Sequence, residues 1–401
     1  VIDGLLVAQN SVGKIVSLAG TWSKEKLVIL KESDESFICP SCKQAVMLKV
    51  GNERIPHFAH LKKSECDSFS EGESSYHLKG KLQLYDWLMH QGYSPTLEPY
   101  FQHLKQRPDL FVDYGKHQYM LEYQCSTIEM TKFKSRTENY ITHGYQPIWI
   151  LGGKRLKRVN NHLFQLSSFE WMFIKLVDNK PSLLYYCSEM EKFLFLHNIF
   201  PLTPSTSYAT LNVISPTNYS FNNSINLPGR ISGLSEWLEM KKSWRLSCTI
   251  YPSQSQKNLL NDLYKKRLYP SLLPSEVGIP VPSMYWIQTH PMIWQAWILV
   301  DFIHKLPNNA TFSFQDLYRY FNSKKRSEPF YIRDLPLVTK THYSFALMEY
   351  MNCLSQLGIL EYVDKKMFRK IKNGSFPIHI EEALEEDKKQ LLKLNKINKG
   401  I

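Results

Sequence analysis

Several absences narrow the reading of this 401-residue chain before any motif is considered. No basic stretch followed by a long apolar run opens the sequence, so no secretory signal is expected. The most apolar later run, Trp294 to Ile303, is too short to cross a bilayer and contains Asp301, so no membrane span is expected either. Seven cysteines, an odd number, argue against a disulfide framework and for free thiols or a metal site. No internal repeat and no long low-complexity tract is present. The expectation is a soluble, cytoplasmic protein.

Acidic residues are in deficit: 37 Asp and Glu face 49 Lys and Arg, a formal net charge of +12. A basic surface attracts phosphate and releases counterions from a polyanion, which favours a nucleic-acid partner without proving one. With 43% hydrophobic residues the chain is globular, and its length calls for two or three cores. Four sections are read: a β-rich module over 1–69, an α/β unit over 70–153, an irregular β/loop extension over 154–240, and a mostly helical section over 241–401. In the third, Leu183–Cys187 and Lys192–His197 read as strands, and the Ser/Thr/Asn/Pro-rich stretch from Pro201 to Arg230 reads as a surface connection.

In the last section Met292–His304, a helix ending near Phe321, and Tyr343–Leu357 closed by Gly358 are followed by two alternating strands around Asp364-Lys365-Lys366. That layout suits a winged helix, and equally an ordinary helical domain with a surface hairpin. The charged tail from Glu381 to Lys399 reads as a solvated helix.

Residues 71–152 hold the densest chemistry. Glu73 to Gln91 is a helix whose stripe Leu78, Leu82, Tyr85, Leu88 and Met89 is expected to be buried, with Glu73, His77 and Lys81 spaced by four on another face. Strands follow around Thr96–Phe101, Leu110–Val112 and Gln118–Gln124, then a helix over Thr131–His143 and a strand over Pro147–Leu151, giving the order α-β-β-β-α-β. Asp109 enters one strand of the middle hairpin. Glu122 and Gln124, two apart, share a face of the other. Carboxylates so arranged suit a hard divalent cation, which acidifies a bound water and stabilises charge developing on a phosphodiester. Glu73 is a candidate third carboxylate. Arg136 and Tyr140, one helical turn apart, are candidates with His77 and Lys81 for holding a phosphate, although both also suit packing on the sheet.

Upstream, Cys39-Pro40-Ser41-Cys42 is a knuckle of the C-x2-C type, followed by His57, His60 and Cys66. Such ligands suit a tetrahedral zinc ion, and a module this small gains from one. Cys39, Cys42, His60 and Cys66 are the preferred set, with His57 as the competing imidazole. Cys125, Cys187, Cys248 and Cys353 are scattered and read as buried apolar residues.

Arg107-Pro108-Asp109 and Glu122-x-Gln124, in that element order, resemble the PD-(D/E)xK nuclease superfamily, a restriction-endonuclease-like fold. Gln124 stands where that motif carries a lysine that positions or activates water, and a neutral amide supplies no charge. Adding Glu73, His77, Lys81, Ser126, Arg136, Tyr140, Trp149-Ile150-Leu151 and the Cys/His module, residues 5–152 resemble the CoiA family of competence proteins. The resemblance implies a Mg²⁺- or Mn²⁺-dependent DNA nuclease with structural zinc. It would act in natural transformation on branched or single-stranded recombination intermediates, alongside recombination proteins. The runner-up is a nonenzymatic DNA-binding factor that loads or positions a recombinase. A sequence-specific restriction-type enzyme ranks last, since no target-recognition domain is evident.

Overall fold

The computed structural model describes residues 4–20, 22–52, 54–61, 66, 73–221, 233–250 and 252–399. The chain divides into two compact units: residues 1–157, 182–197 and 211–227 in the first, and 158–181, 198–210 and 228–401 in the second. The sections read as 1–69 and 70–153 thus lie within one unit, and the third section is shared between both.

In the first unit, short strands β1 (Gly4–Leu5), β2 (Val7–Asn10), β3 (Ile15–Ser17), β4 (Phe37–Ile38), β5 (Ala45–Lys49) and β6 (His57–His60) form a sheet in the order β1-β6-β5-β4-β2-β3. Helix α1 (Lys24–Glu32) starts at Ser23, whose side chain accepts from the Lys26 N–H. β5 shows the strand period plainly, with Val46 and Leu48 buried and their neighbours exposed.

Helix α2 (Ser75–His90) is capped by Ser74, so Glu73 lies just before it. The expected stripe is met at Leu78 and Leu88, and the buried face extends to residues outside it. Leu78, Gly80, Lys81, Leu84, Trp87 and Leu88 face inward, Leu82 and Tyr85 are half-buried, and Met89 is exposed. The inward face follows Trp87, which packs on Phe193 and stacks on Tyr219, residues brought back from far along the chain. Next come β7 (Pro95–Leu97), β8 (Leu110–Tyr114), β9 (His117–Gln124), α3 (Met130–Thr142) and β10 (Gln146–Gly152). β7 is shorter than expected because Glu98 turns into positive φ (47°). β7, β8 and β9 are antiparallel neighbours, and α3 carries the chain over to β10, which runs parallel to β9. The strand Lys180–Cys187 then pairs parallel to β10 and antiparallel to Lys192–Pro201. One face of β9 places Leu121 and Tyr123 in a core shared with Leu5, Leu6, Val7, Phe58 and Leu78. The other sets Met120 against Tyr140.

The second unit has helices Leu234–Ser247, Gln254–Lys265, Phe314–Ser327, Ser344–Gln356 and Ile380–Lys399, and a helix from Pro291 that widens to π geometry over Trp297–Ile303. The expected hairpin is present as Leu360–Asp364 and Met367–Lys370. A third strand, Thr311–Ser313, pairs with Met367–Lys370 and had not been read from the sequence. Lys324, Lys325 and Arg326 fall in the last turn of a helix that extends beyond Phe321, and Lys370 is buried. The tail helix is not merely solvated: Ala383, Asp387, Leu391 and Leu394 are buried, and Asp387 pairs with Lys241 and Arg245. In the stretch read as a surface connection, Thr206–Ile214 is a strand and residues 222–232 lie outside the described ones. Of the scattered cysteines, Cys187 and Cys248 are buried, and Cys125 and Cys353 are partly so.

Candidate active site

Asp109 stands at the entry to β8. Continuing the antiparallel register one step past Leu110↔Leu121 sets it opposite Glu122. Its Oδ2 accepts from the Tyr123 backbone N–H at 2.7 Å and lies 3.5 Å from His77 Nε2. Its Oδ1 is 3.7 Å from Lys81 Nζ. Burial pushes the Asp109 carboxyl up, but Lys81 and His77 outweigh it and hold the group well below the usual carboxylate range. The same pairing acts on His77 in reverse: burial disfavours its charge, and Glu73 with Asp109 raises its pKa in spite of that.

α2 delivers Lys81 and His77 because Gly80 lets the helix approach the sheet. A Cβ at Gly80 would sit 2.1 Å from the Tyr123 ring. Lys81 is fully buried, donates to Glu73 Oε2 at 2.5 Å and donates to Glu98. Arg107 Nη2 lies 4.0 Å from Glu73 and Nη1 3.9 Å from Glu98. Glu98 also accepts from the Leu6 N–H at 3.0 Å, which ties the N-terminal sheet to the site. Sequence reasoning missed Glu98. Its only local signal, the end of a strand, is shared by many surface glutamates.

Glu122 is held on the α3 side. Arg136 Nη2 reaches Oε1 at 2.7 Å and Oε2 at 2.9 Å, and the Tyr140 hydroxyl donates to Oε1. Burial pushes the Glu122 carboxyl up to about 7, with Arg136 opposing. Arg136 also donates to the Arg107 carbonyl at 2.7 Å. Gln124 Nε2 donates to the Ser126 carbonyl at 3.1 Å.

The structure therefore brings Glu73, His77, Lys81 and Asp109 together, and separately Glu122, Arg136 and Tyr140, but their roles shift from those expected. Lys81 and Tyr140 are fully buried and cannot meet a phosphate at the surface. Glu73 is ion-paired with Lys81 inside the protein, so it is not placed as a third metal carboxylate. Asp109, with 16% of its side chain exposed, and Glu122 beside it are oxygen donors of the class a hard divalent cation takes. The Cys39, Cys42, His60 and Cys66 ligand atoms all lie within 4.8 Å of one another, with Cys42 Sγ 3.3 Å from His60 Nε2, and this set fits a tetrahedral zinc ion. His57 instead turns Nδ1 to the Ile55 carbonyl at 2.8 Å. Among the described residues no other group of three or more such ligands was found this close.

Three stretches of the sequence match domains of one family. Residues 19–69 match the N-terminal domain of competence protein CoiA, 73–227 its nuclease-like domain and 234–384 its C-terminal domain. The chain is 31% identical over 335 residues to the competence protein CoiA of Bacillus subtilis strain 168, covering 83% of this chain and 89% of that protein. The chain belongs to the competence protein CoiA family. No solved structure matches it significantly. The site of Asp109 and Glu122 lies inside the stretch matching the nuclease-like domain, and the Cys/His cluster inside that matching the N-terminal domain. Among the described residues, no helix is long and apolar enough to cross a membrane.

Proposed function

We propose that this CoiA-family protein is a PD-(D/E)xK-type nuclease that hydrolyses DNA during natural transformation, on branched or single-stranded recombination intermediates. One observation carries the reading: an ionised, partly exposed carboxylate, Asp109, stands opposite Glu122 among buried cations. A structural ion pair does not need an open edge, whereas a site that takes a phosphodiester does.

Asp109 and Glu122 would hold Mg²⁺ or Mn²⁺, which when bound supplies Lewis acidity and a water of lowered pKa. The chain's own residues do the rest. Tyr123 N–H fixes the direction of the Asp109 carboxylate. Arg136 and Tyr140 fix that of Glu122. His77 Nε2, 3.5 Å from Asp109 Oδ2, would help hold that carboxylate in place. Gln124, at the motif's lysine position, brings an amide that orients through hydrogen bonds alone. Cys39, Cys42, His60 and Cys66 would bind zinc and brace β4–β6, leaving His57 structural.

In the second unit the chain order from Pro291 through Met367–Lys370 (helix, strand, helix, helix, strand, strand), with sheet order first–third–second, supports a winged-helix reading. Helix Ser344–Gln356 is too apolar for base reading, so exposed Lys325, Arg326, Lys365 and Lys366 would contact the phosphate backbone without sequence preference.

The testing experiment is cleavage of single-stranded, branched and duplex DNA with Mg²⁺ or Mn²⁺. Strand scission in either metal supports the reading, and intact DNA in both overturns it. A second reading, a nonenzymatic factor that positions a recombinase on DNA, is favoured by the engagement of both Glu122 oxygens by Arg136. It predicts DNA binding and recombinase stimulation without scission.

A further inference from the structure

Phosphodiester hydrolysis builds negative charge, and fixed positive groups near the reacting phosphate lower its barrier. β9, which carries Glu122, contributes no lysine or arginine, and the Gln124 amide turns to Ser126. Arg136 is bound up with both oxygens of Glu122.

A cation does reach Asp109, from α2. Lys81 Nζ is 3.7 Å from Asp109 Oδ1 and has no exposed surface. An ammonium is costly to bury, and two carboxylates on either side compensate it: Glu73 from before α2 and Glu98 from after β7. Each carboxylate is itself fixed, Glu73 near Arg107 and Glu98 by Arg107 and the Leu6 N–H. The Gly80–Tyr123 approach sets the depth of the helix and so the height at which the ammonium sits. Glu73 and Glu98 satisfy the buried ammonium, and its third acidic neighbour is Asp109, the one of the three that is partly exposed.

We propose that Lys81, clamped by Glu73 and Glu98, is the positioning cation of the active site, supplying from helix α2 the fixed positive charge beside Asp109 that strand β9 does not bring. The inference rests on the nuclease reading and adds Glu98 to the machinery. Lys81 touches neither substrate nor metal. It acts by fixing where Asp109 points and by offsetting charge at its far oxygen.

The test uses the full chain, single-stranded DNA and Mn²⁺. Removing Lys81 alone strands two buried carboxylates, so the double variant Lys81→Met/Glu98→Gln, which keeps the buried charge balanced, is compared with Lys81→Arg and wild type. The double variant should melt close to wild type and keep its KM for DNA, while kcat falls about 100-fold, the upper end of the loss when a group that orients a metal ligand is removed. Lys81→Arg should recover at least about tenfold of that loss. Cleavage by the double variant within about threefold of wild type, a change confined to KM, or no recovery with arginine in folded protein each overturns the inference while the nuclease reading stands. No cleavage by wild type in Mn²⁺ or Mg²⁺ overturns that reading, and this inference with it.

Discussion

The Asp109 carboxylate accepts a hydrogen bond from the Tyr123 backbone N–H at 2.7 Å, across the gap where the β8–β9 ladder has ended. A side chain thus replaces the next ladder bond. The strand that carries Glu122 thereby fixes Asp109, so two acidic residues 13 positions apart act as one rigid pair. The consequence is that cleavage should be sharply sensitive to the loss of either carboxylate.

Asp109→Ala and Glu122→Ala should each abolish DNA cleavage and leave affinity for DNA nearly unchanged, since neither removes an exposed cation. Gel cleavage and fluorescence anisotropy on the same preparations check this. Wild-type rates in either variant, in Mg²⁺ and in Mn²⁺, would show that the site lies elsewhere.

Purified protein should carry about one zinc per chain, as a single closed tetrahedral set implies. Cys39→Ser/Cys42→Ser should remove it, and His57→Ala should not, because the His57 ring is engaged with Ile55. Elemental analysis of the three proteins decides. Zinc retained in the double variant sinks the assignment.

Gly80→Ala places a methyl group 2.1 Å from the Tyr123 ring, which packs in the core and cannot swing out. Overpacking of this kind costs roughly 1–3 kcal/mol, so the urea midpoint should fall despite alanine's better helix propensity. A midpoint at or above wild type would mean that helix and sheet adjust freely. Cleavage should fall as well, because Lys81 is displaced with the helix.

Neutralising Lys325, Arg326, Lys365 and Lys366 to alanine in the intact chain should weaken DNA binding and flatten its dependence on salt, equally on two unrelated sequences. Deleting everything after residue 240 is a poorer test, because the second unit includes residues 158–181 and 198–210 and would be cut through its core. Unchanged slopes would assign this unit to protein contacts.

The second unit should lose stability in acid. Burial lowers His290 to about 3, and burial with Lys370 lowers His304 to about 4. Both rings accept backbone N–H bonds, from Met292 and from Gly374, which only a neutral nitrogen can do. With folded pKa values below the unfolded ones, the unfolded chain binds the protons. Stability is therefore full above about pH 6.5 and falls toward pH 4 for His304 and toward pH 3 for His290, by at most about 1.4 kcal/mol per pH unit for each histidine. Denaturant midpoints of His290→Gln and His304→Gln that fall with pH as steeply as wild type would refute the assignment.

Sequence alone determined what is local or periodic. Because spacing along a strand fixes direction, the alternation of β9 placed Glu122 and Gln124 on one face, and the 3.6 period located α2 and α3. Asp109 entering one strand beside Glu122 on the next marked a candidate metal site, which Pro108-Asp109 and Glu122-x-Gln124 tied to a nuclease motif by resemblance. The cysteine knuckle and the histidine beyond it were legible for the same reason. What only the tertiary structure decided depends on residues far apart in the chain. Glu98 joins the site through Lys81 and through Leu6, 92 residues away. The buried face of α2 was chosen by Phe193 and Tyr219, and that of the tail helix by Arg245, which Asp387 meets across 142 residues. Periodicity reports that a helix has an inside. It does not report which charged side chains will be compensated there, because compensation comes from partners that only the folded chain brings near.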